Sequence, residues 1–237
     1  MAHQISHKNR CIFVHVPKAG GTSVECSAIF DDQRARTGDH VGGHFTALEY
    51  RATYPDEFRD YFTFAFVRNP YDRLVSAFLY LNRGGTTPGD RRVFEVHLKR
   101  YQGDFEAFCE GLHDHESVRS ILHLRPQVDF VCDENGELIV DYVGRLEQMA
   151  ADFAVVTKRL GEQVRLPRKN RSTQMGYYRF YRSARVREIV TGVYESDFSA
   201  LGYPLQPAGQ RLRPTIHRIR GASARLARSW IPRRGRY

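Results

Sequence analysis

Cys11-Ile-Phe-Val-His-Val16 is a short apolar, β-branched run that stops at Pro17, the pattern of a strand buried on both faces. Lys18-Ala-Gly-Gly-Thr22 follows with the composition of a tight loop, and Ser23 to Phe30 reads as a helix. A second unit of the same kind lies downstream. Tyr61 to Val67 alternates aromatic and small residues in the strongest strand signal of the chain, and it ends at Arg68-Asn69-Pro70. Asn69 can cap a helix whose first position suits Pro70. Leu74, Ala77, Phe78 and Leu81 then fall on one helical face. Strand–loop–helix units in succession predict an α/β fold with a largely parallel central sheet.

The remaining chain divides in the same terms. Thr46-Ala-Leu-Glu49 has the spacing of a capping box, so a helix is expected from Thr46. Arg83 to Arg92, rich in glycine, reads as a mobile surface loop, with helices over Val93 to Tyr101, Phe105 to Leu112 and Ser117 to Leu122. Val128 to Cys132 and Glu137 to Val140 flank Asp133-Glu-Asn-Gly136 as a β-hairpin would, and Asp141-Tyr-Val-Gly144 can carry the second arm into the main sheet. Further helices are expected from Glu147 to Leu160 and from Ala184 to Tyr194.

A chain of 237 residues suits one domain with an appendage, here 1–203 followed by a basic tail, 204–237. The tail holds nine arginines and no acidic residue, which accounts for the whole formal charge of +9. The body is therefore near neutral, and a nucleic-acid partner is not expected. Ile216, Ile219, Leu226 and Trp230 share one helical face of the tail, with Arg218, Arg225 and Arg228 largely opposite. That pattern fits a disordered or self-docked basic segment, and also peripheral contact with an anionic membrane. No apolar run reaches the length of a membrane span, and Met1 to Arg10 lacks the apolar stretch of a secretory leader. Cys11, Cys26, Cys109 and Cys132 have no paired spacing; reduced thiols and a cytoplasmic setting are expected.

The first loop has the parts of a phosphate cradle. Gly20 and Gly21 let the backbone approach a ligand without a Cβ in the way, and the N–H groups opening the next helix face an anion. Lys18 adds a full charge, and Thr22 and Ser23 add hydroxyls. Lysine precedes both glycines, so this is not a Walker A loop. The second unit supplies Arg68 at a strand end and Ser76 two turns into the following helix, a pair able to grip one phosphate from two directions. Two anion sites at the C-terminal ends of two strands suit a nucleotide with two separated phosphates.

Ile12-Phe-Val-His-Val-Pro-Lys-Ala-Gly-Gly-Thr-Ser23 resembles the 5'-phosphosulfate loop of sulfotransferases that use PAPS, 3'-phosphoadenosine 5'-phosphosulfate. Phe64-Ala-Phe-Val-Arg-Asn-Pro-Tyr-Asp-Arg-Leu-Val-Ser-Ala-Phe78 resembles their 3'-phosphate motif. Tyr142-Val-Gly-Arg-Leu-Glu147 and Asp197-Phe-Ser-Ala-Leu-Gly-Tyr203 fit the carbohydrate branch, which includes the chondroitin 4-O and HNK-1 enzymes and bacterial relatives. The resemblance spans Cys11 to Tyr203. It implies a P-loop-like, three-layer α/β fold, PAPS as co-substrate without a metal, and a carbohydrate or glycolipid acceptor. It assigns Lys18, Ala19, Gly20, Gly21, Thr22 and Ser23 to the 5'-phosphosulfate, and Arg68 and Ser76 to the 3'-phosphate. Lys18 would also neutralise charge on the leaving oxygen.

Such a transfer needs a base for the acceptor hydroxyl, a task suited to histidine. His44, just ahead of the capped helix, is the favoured residue, with His40 and Glu49 as alternatives. His15 alternates with the apolar strand residues and is expected to be a packed strand histidine. Arg125 and Gln127 either face the acceptor or serve structure, and Lys169-Asn-Arg-Ser172 either closes over the nucleotide or is a solvated basic loop. His113 and His115 flank Asp114 but do not by themselves make a metal site. Two rival readings stay in view. One is a nucleotide-dependent kinase, which would need a Walker-type lysine and Mg²⁺ ligands. The other is a non-catalytic binder of anionic polymers acting through the tail.

Overall fold

The computed structural model describes residues 4–32, 43–113, 115–167 and 176–206. His40, the side chains of the His113–His115 pair, the 169–172 loop and residues 207–237 of the tail fall outside that description.

A two-residue strand, β1 (Ile5–Ser6), runs antiparallel to β2 (Cys11–Val14). From β2 the chain passes through α1 (Gly21–Glu25), α2 (Ala47–Thr53) and α3 (Pro55–Asp60) to β3 (Phe62–Val67). It continues through α4 (Pro70–Leu81), α5 (Pro88–Val93), α6 (Phe105–Glu110), α7 (His115–Ser120) and α8 (Val128–Val131) to β4 (Tyr142–Arg145). Then come α9 (Met149–Leu160), α10 (Ala184–Val193) and α11 (Glu195–Ala200). The four strands form one sheet in the order β1-β2-β3-β4, and β2, β3 and β4 are mutually parallel.

The sheet is buried on both faces, which is why its strands read as continuous apolar runs. Ile12, Val14, Ala65 and Val67 point into one core, which takes Ala47 and Tyr50 of α2 and Leu74, Ala77, Phe78 and Leu81 of α4. Phe13, Phe64, Phe66 and Tyr142 point into the other, against Val24, Ile29, Phe30 and, from α9, Phe153 and Val156. Helix, sheet and helix thus make three layers of a P-loop-like α/β fold. Each fully buried phenylalanine contributes about 2–3 kcal/mol through lost apolar surface.

Local chemistry fixes the helix starts. Thr46 Oγ1 accepts from the N–H of Glu49 at 3.1 Å, and the Glu49 carboxylate accepts from the N–H of Thr46 at 2.7 Å. The Asn69 side chain accepts from the N–H of Tyr71, and Pro70 takes the first helical position.

Three expectations need correction. Arg83 to Arg92 is not a continuous loop: Thr87 and Asp90 form a second capping box, with Pro88 at the first position of α5. The helix expected from Ser23 to Phe30 breaks after Glu25 and resumes as a single 3-10 turn at Ala28–Phe30. The expected hairpin shrinks to one bridge, Cys132 to Leu138, because Val128–Val131 is helical. The reason lies far along the chain. The Asp197 carboxylate accepts from the N–H groups of Gln127 at 3.0 Å and Val128 at 2.9 Å, capping that turn from α11.

Candidate active site

In the strand register Val14 faces Ala65 and Val67 faces Arg145, so the segments leaving β2, β3 and β4 emerge along one edge. Lys18 sits in that edge with φ +66, a left-handed conformation that costs a non-glycine residue about 1 kcal/mol or more. Gly20, at φ +86, takes the same region freely, and a Cβ there would come within 2.7 Å of Leu146. A Cβ on Gly21 would overlap the His15 imidazole. The glycines therefore let the loop lie flat under His15 and over Leu146. Ala19 is buried, Ser23 half-buried and Thr22 exposed at the start of α1.

The Lys18 ammonium lies 3.7 Å from the centroid of the Tyr80 ring. Burial, and then the charge of Arg68, push its pKa down to about 8; Asp90 opposes the shift and Arg73 adds to it. Arg68 is buried at the end of β3. Its guanidinium binds Asp72 through Nε and Nη2, both at 2.8 Å, and Nη1 donates to the carbonyl of Lys18 at 3.3 Å. That leaves one hydrogen on each terminal nitrogen for another acceptor. The two loops singled out in the sequence thus touch, fifty residues apart along the chain. Ser76 is half-buried on α4, two turns beyond Arg68.

Arg73, one of the most deeply buried side chains in the protein, was not anticipated. Its Nε donates to the Pro17 carbonyl at 2.9 Å, and Nη2 donates to the carbonyls of Arg125 at 2.6 Å and His123 at 3.4 Å. One guanidinium on α4 therefore fastens the glycine loop to the segment before α8. Gln127 fastens the other side. Its amide accepts from the Arg68 N–H at 2.9 Å and donates to the Arg68 carbonyl at 2.8 Å. Fully buried, Gln127 is structural and does not face an acceptor. Arg125 turns to Asp129 at 3.4 Å and rests over the Phe130 ring.

The histidines converge on the same edge. His15 is not a strand residue but follows β2, and its Nδ1–H donates to the Glu25 carboxylate at 2.8 Å. His44 stands beside it, ring centroids 4.3 Å apart, with Nδ1–H donating to the His15 carbonyl at 2.9 Å. That bond fixes the tautomer and leaves the His44 Nε2 lone pair unprotonated. Burial, and then the neighbouring His15, push the His44 pKa down to about 3. On the far side lies His123, 6.3 Å from His44 between centroids, with Nε2–H donating to Asp90 at 2.9 Å. Glu49, the alternative acid, is exposed and taken up by its capping box. Among the described residues, no group of three or more His, Cys, Asp or Glu side chains is placed to hold a metal ion.

A glycine loop with its own lysine, an arginine at the next strand end and two histidines lie together along one edge of the sheet. The family model described as the sulfotransferase family matches residues 3–204, most of the chain and every residue of this site. The chain belongs to the sulfotransferase family. Carbohydrate sulfotransferase 14 of Danio rerio is similar to it, 27% identical over 169 residues. That alignment covers 62% of this chain and 45% of the relative, so the chain spans less than half of that protein's length. No solved structure matches the chain.

Within this family member, the two later segments noted in the sequence also meet. Arg145 donates to the carbonyls of Leu201 at 2.7 Å and Gly202 at 3.1 Å, and stacks on the Tyr203 ring. The Tyr203 hydroxyl donates to Glu147 at 3.1 Å, while the other Glu147 oxygen accepts from the Asn69 N–H at 2.6 Å. This chain of contacts holds the Arg68–Asn69 turn from the β4 side. Tyr80, Asp90 and His123 had gone unremarked. The spacing Thr87-Pro-Gly-Asp90 is a readable helix start, and its acid turns out to hold His123.

Proposed function

We propose that this protein transfers a sulfuryl group from PAPS to a hydroxyl of a carbohydrate acceptor, glycan or glycolipid, releasing PAP. The observation that carries the reading is the 3.3 Å contact between the Arg68 guanidinium and the Lys18 carbonyl. It draws together the two loops that must hold the two ends of one nucleotide. Lys18, Arg68 and Arg73 lie close enough to influence one another's charge, a concentration of positive potential suited to a polyanion. Lys18 and the Gly20–Ser23 turn would take the 5'-phosphosulfate, and the spare Arg68 hydrogens with Ser76 the 3'-phosphate.

When bound, PAPS supplies the sulfuryl group: a new O–S bond to the acceptor forms as the S–O bond to the 5'-phosphate breaks. Lys18 offsets the charge that develops on that phosphate oxygen, where its value is greatest. His44 presents an unprotonated Nε2 to the acceptor hydroxyl and orients it. A kinase reading lacks support, because lysine precedes the glycines of the loop.

A thermal-shift comparison tests the reading. PAP at about 100 times its Kd should stabilise the fold by about 2.7 kcal/mol and raise Tm by several degrees. ATP at the same concentration should do far less, and equal shifts would return the kinase to contention. For the tail, we propose peripheral contact with anionic membrane, supported by its sequence pattern. Deleting Arg211 to Tyr237 should abolish sedimentation with phosphatidylserine vesicles; unchanged sedimentation refutes it.

A further inference from the structure

We propose that His123, held by Asp90, is the residue that takes the proton from the attacking hydroxyl, with His44 orienting that hydroxyl beside it. This deepens the sulfotransferase reading and rests on it.

A general base must be unprotonated before the reaction and stabilised once it carries the proton. His44 meets the first requirement only. The polar groups facing it are the His15 carbonyl, the rings of His15 and His123, and the positive charge of Arg73. None of these carries a negative charge, so an imidazolium at His44 is favoured only by its hydrogen bond to the His15 carbonyl, which burial and the neighbouring His15 ring outweigh.

His123 meets both. Its Nε2–H donates to Asp90 Oδ1 at 2.9 Å, which leaves Nδ1 as the unprotonated nitrogen. That Nδ1 is buried and has no hydrogen-bond partner among the described residues. An orphaned acceptor inside a protein costs free energy, and a substrate hydroxyl would satisfy it. The groups around the ring are Asp90, Tyr80 at 5.0 Å between centroids, His44, and the charges of Lys18 and Arg73. Burial is the largest influence and lowers the His123 pKa; Lys18 and Arg73 add to that, while Asp90 opposes it. The imidazole is therefore neutral near pH 7 and gains a carboxylate partner on protonation.

Asp90 is built for that task. Its Oδ2 accepts from the Tyr80 hydroxyl at 2.6 Å, the Thr87 N–H at 3.0 Å and the Thr86 N–H at 3.2 Å, and Oδ1 faces His123. Burial alone would raise its pKa, but the hydrogen bonds from Tyr80, His123 and Thr87 outweigh it and keep the carboxylate ionised. Tyr80 also carries the Lys18 ammonium on its ring, so the same side chain positions the cation of the donor site and the anion behind the base. In the step itself the hydroxyl oxygen bonds to sulfur as the S–O bond to the 5'-phosphate breaks and PAP leaves, the hydroxyl proton passes to His123 Nδ1, and the imidazolium is balanced by Asp90. After the products leave, His123 returns the proton to water.

Two readouts test this on the full chain. In ¹⁵N NMR of the nucleotide-free protein, His123 should show the Nε2–H tautomer, and Asp90→Asn should lower its pKa. An Nδ1–H tautomer overturns the proposal whatever the enzyme's activity. The second readout is PAP release from PAPS with water as acceptor, which requires no knowledge of the glycan. His123→Ala should slow it about 100-fold or more, with partial rescue by free imidazole, and Asp90→Asn should slow it comparably. His44→Ala should cost less and leave the acidic limb of the pH profile in place. Full PAP release by His123→Ala, with the PAP thermal shift intact, would refute the role of His123 but leave the sulfotransferase reading standing. A wild-type protein that PAP does not stabilise would refute the reading itself.

Discussion

Replacing Lys18 with methionine should lower kcat/KM for PAPS by about 10²–10³-fold, while the nucleotide-free protein melts no lower than the wild type. The two halves have one origin. The ammonium is partly buried beside Arg68 and Arg73, which pushes its pKa down to about 8 from the ordinary 10.5. A group whose pKa is lowered by folding is one that the folded state would rather hold uncharged. Between pH 8 and 10.5 the unfolded chain therefore binds more protons at this position, and stability gained there is absent at pH 7. Methionine keeps the length of the side chain and removes the charge. Against this stands the lost contact with the Tyr80 ring, worth about 0.5–1 kcal/mol. The Tm advantage of Lys18→Met over wild type should be largest near pH 7 and shrink toward pH 10. Differential scanning fluorimetry across that range, with and without PAP, separates the contributions. A variant that melts lower at every pH, or still gains the full PAP shift, would remove Lys18 from the anion site.

The parts of this fold that were legible in sequence are those decided locally. The runs 11–16 and 61–67 announce buried strands because both faces of the sheet are covered, so no polar alternation interrupts them. Asn69-Pro70 and Thr46-x-x-Glu49 announce helix starts because capping needs only neighbours. The misreadings have the opposite character. Val128–Val131 has strand-forming residues, but Asp197 at the other end of the chain caps it into a helical turn. Arg83 to Arg92 reads as a loop because of its three glycines and proline, although the Thr87–Asp90 box is readable within it. For the site, residue types at Lys18 and Arg68 told what chemistry to expect, and the parallel register of β2 and β3 is what brings them together. Arg73 could not have been found that way. An arginine on an amphipathic helix reads as solvent-facing, and only the carbonyls of two distant loops make its burial tolerable.

That arrangement makes Arg73 the most stability-critical charged residue of the site. Arg73→Met should destabilise the protein by about 3 kcal/mol or more, a fall of about 6–12 °C in Tm. The loss is not that of an ion pair, since the partners of the guanidinium are the carbonyls of Pro17, His123 and Arg125. Methionine fills most of the volume but leaves these buried oxygens without donors, at about 1–3 kcal/mol for each that water cannot reach. Arg73→Lys should recover only part of the loss, because an ammonium cannot match the planar fork that spans both loops. The functional effect should exceed the structural one. Pro17 adjoins Lys18, and His123 and Arg125 border the segment whose Gln127 clamps Arg68. Freed from α4, the two loops no longer hold a common geometry. The PAP-induced shift of Arg73→Met, measured well below its own melting point by isothermal titration, should therefore fall by about tenfold or more in affinity. Wild-type PAP affinity in a destabilised Arg73→Met would mean that Arg73 serves the fold alone.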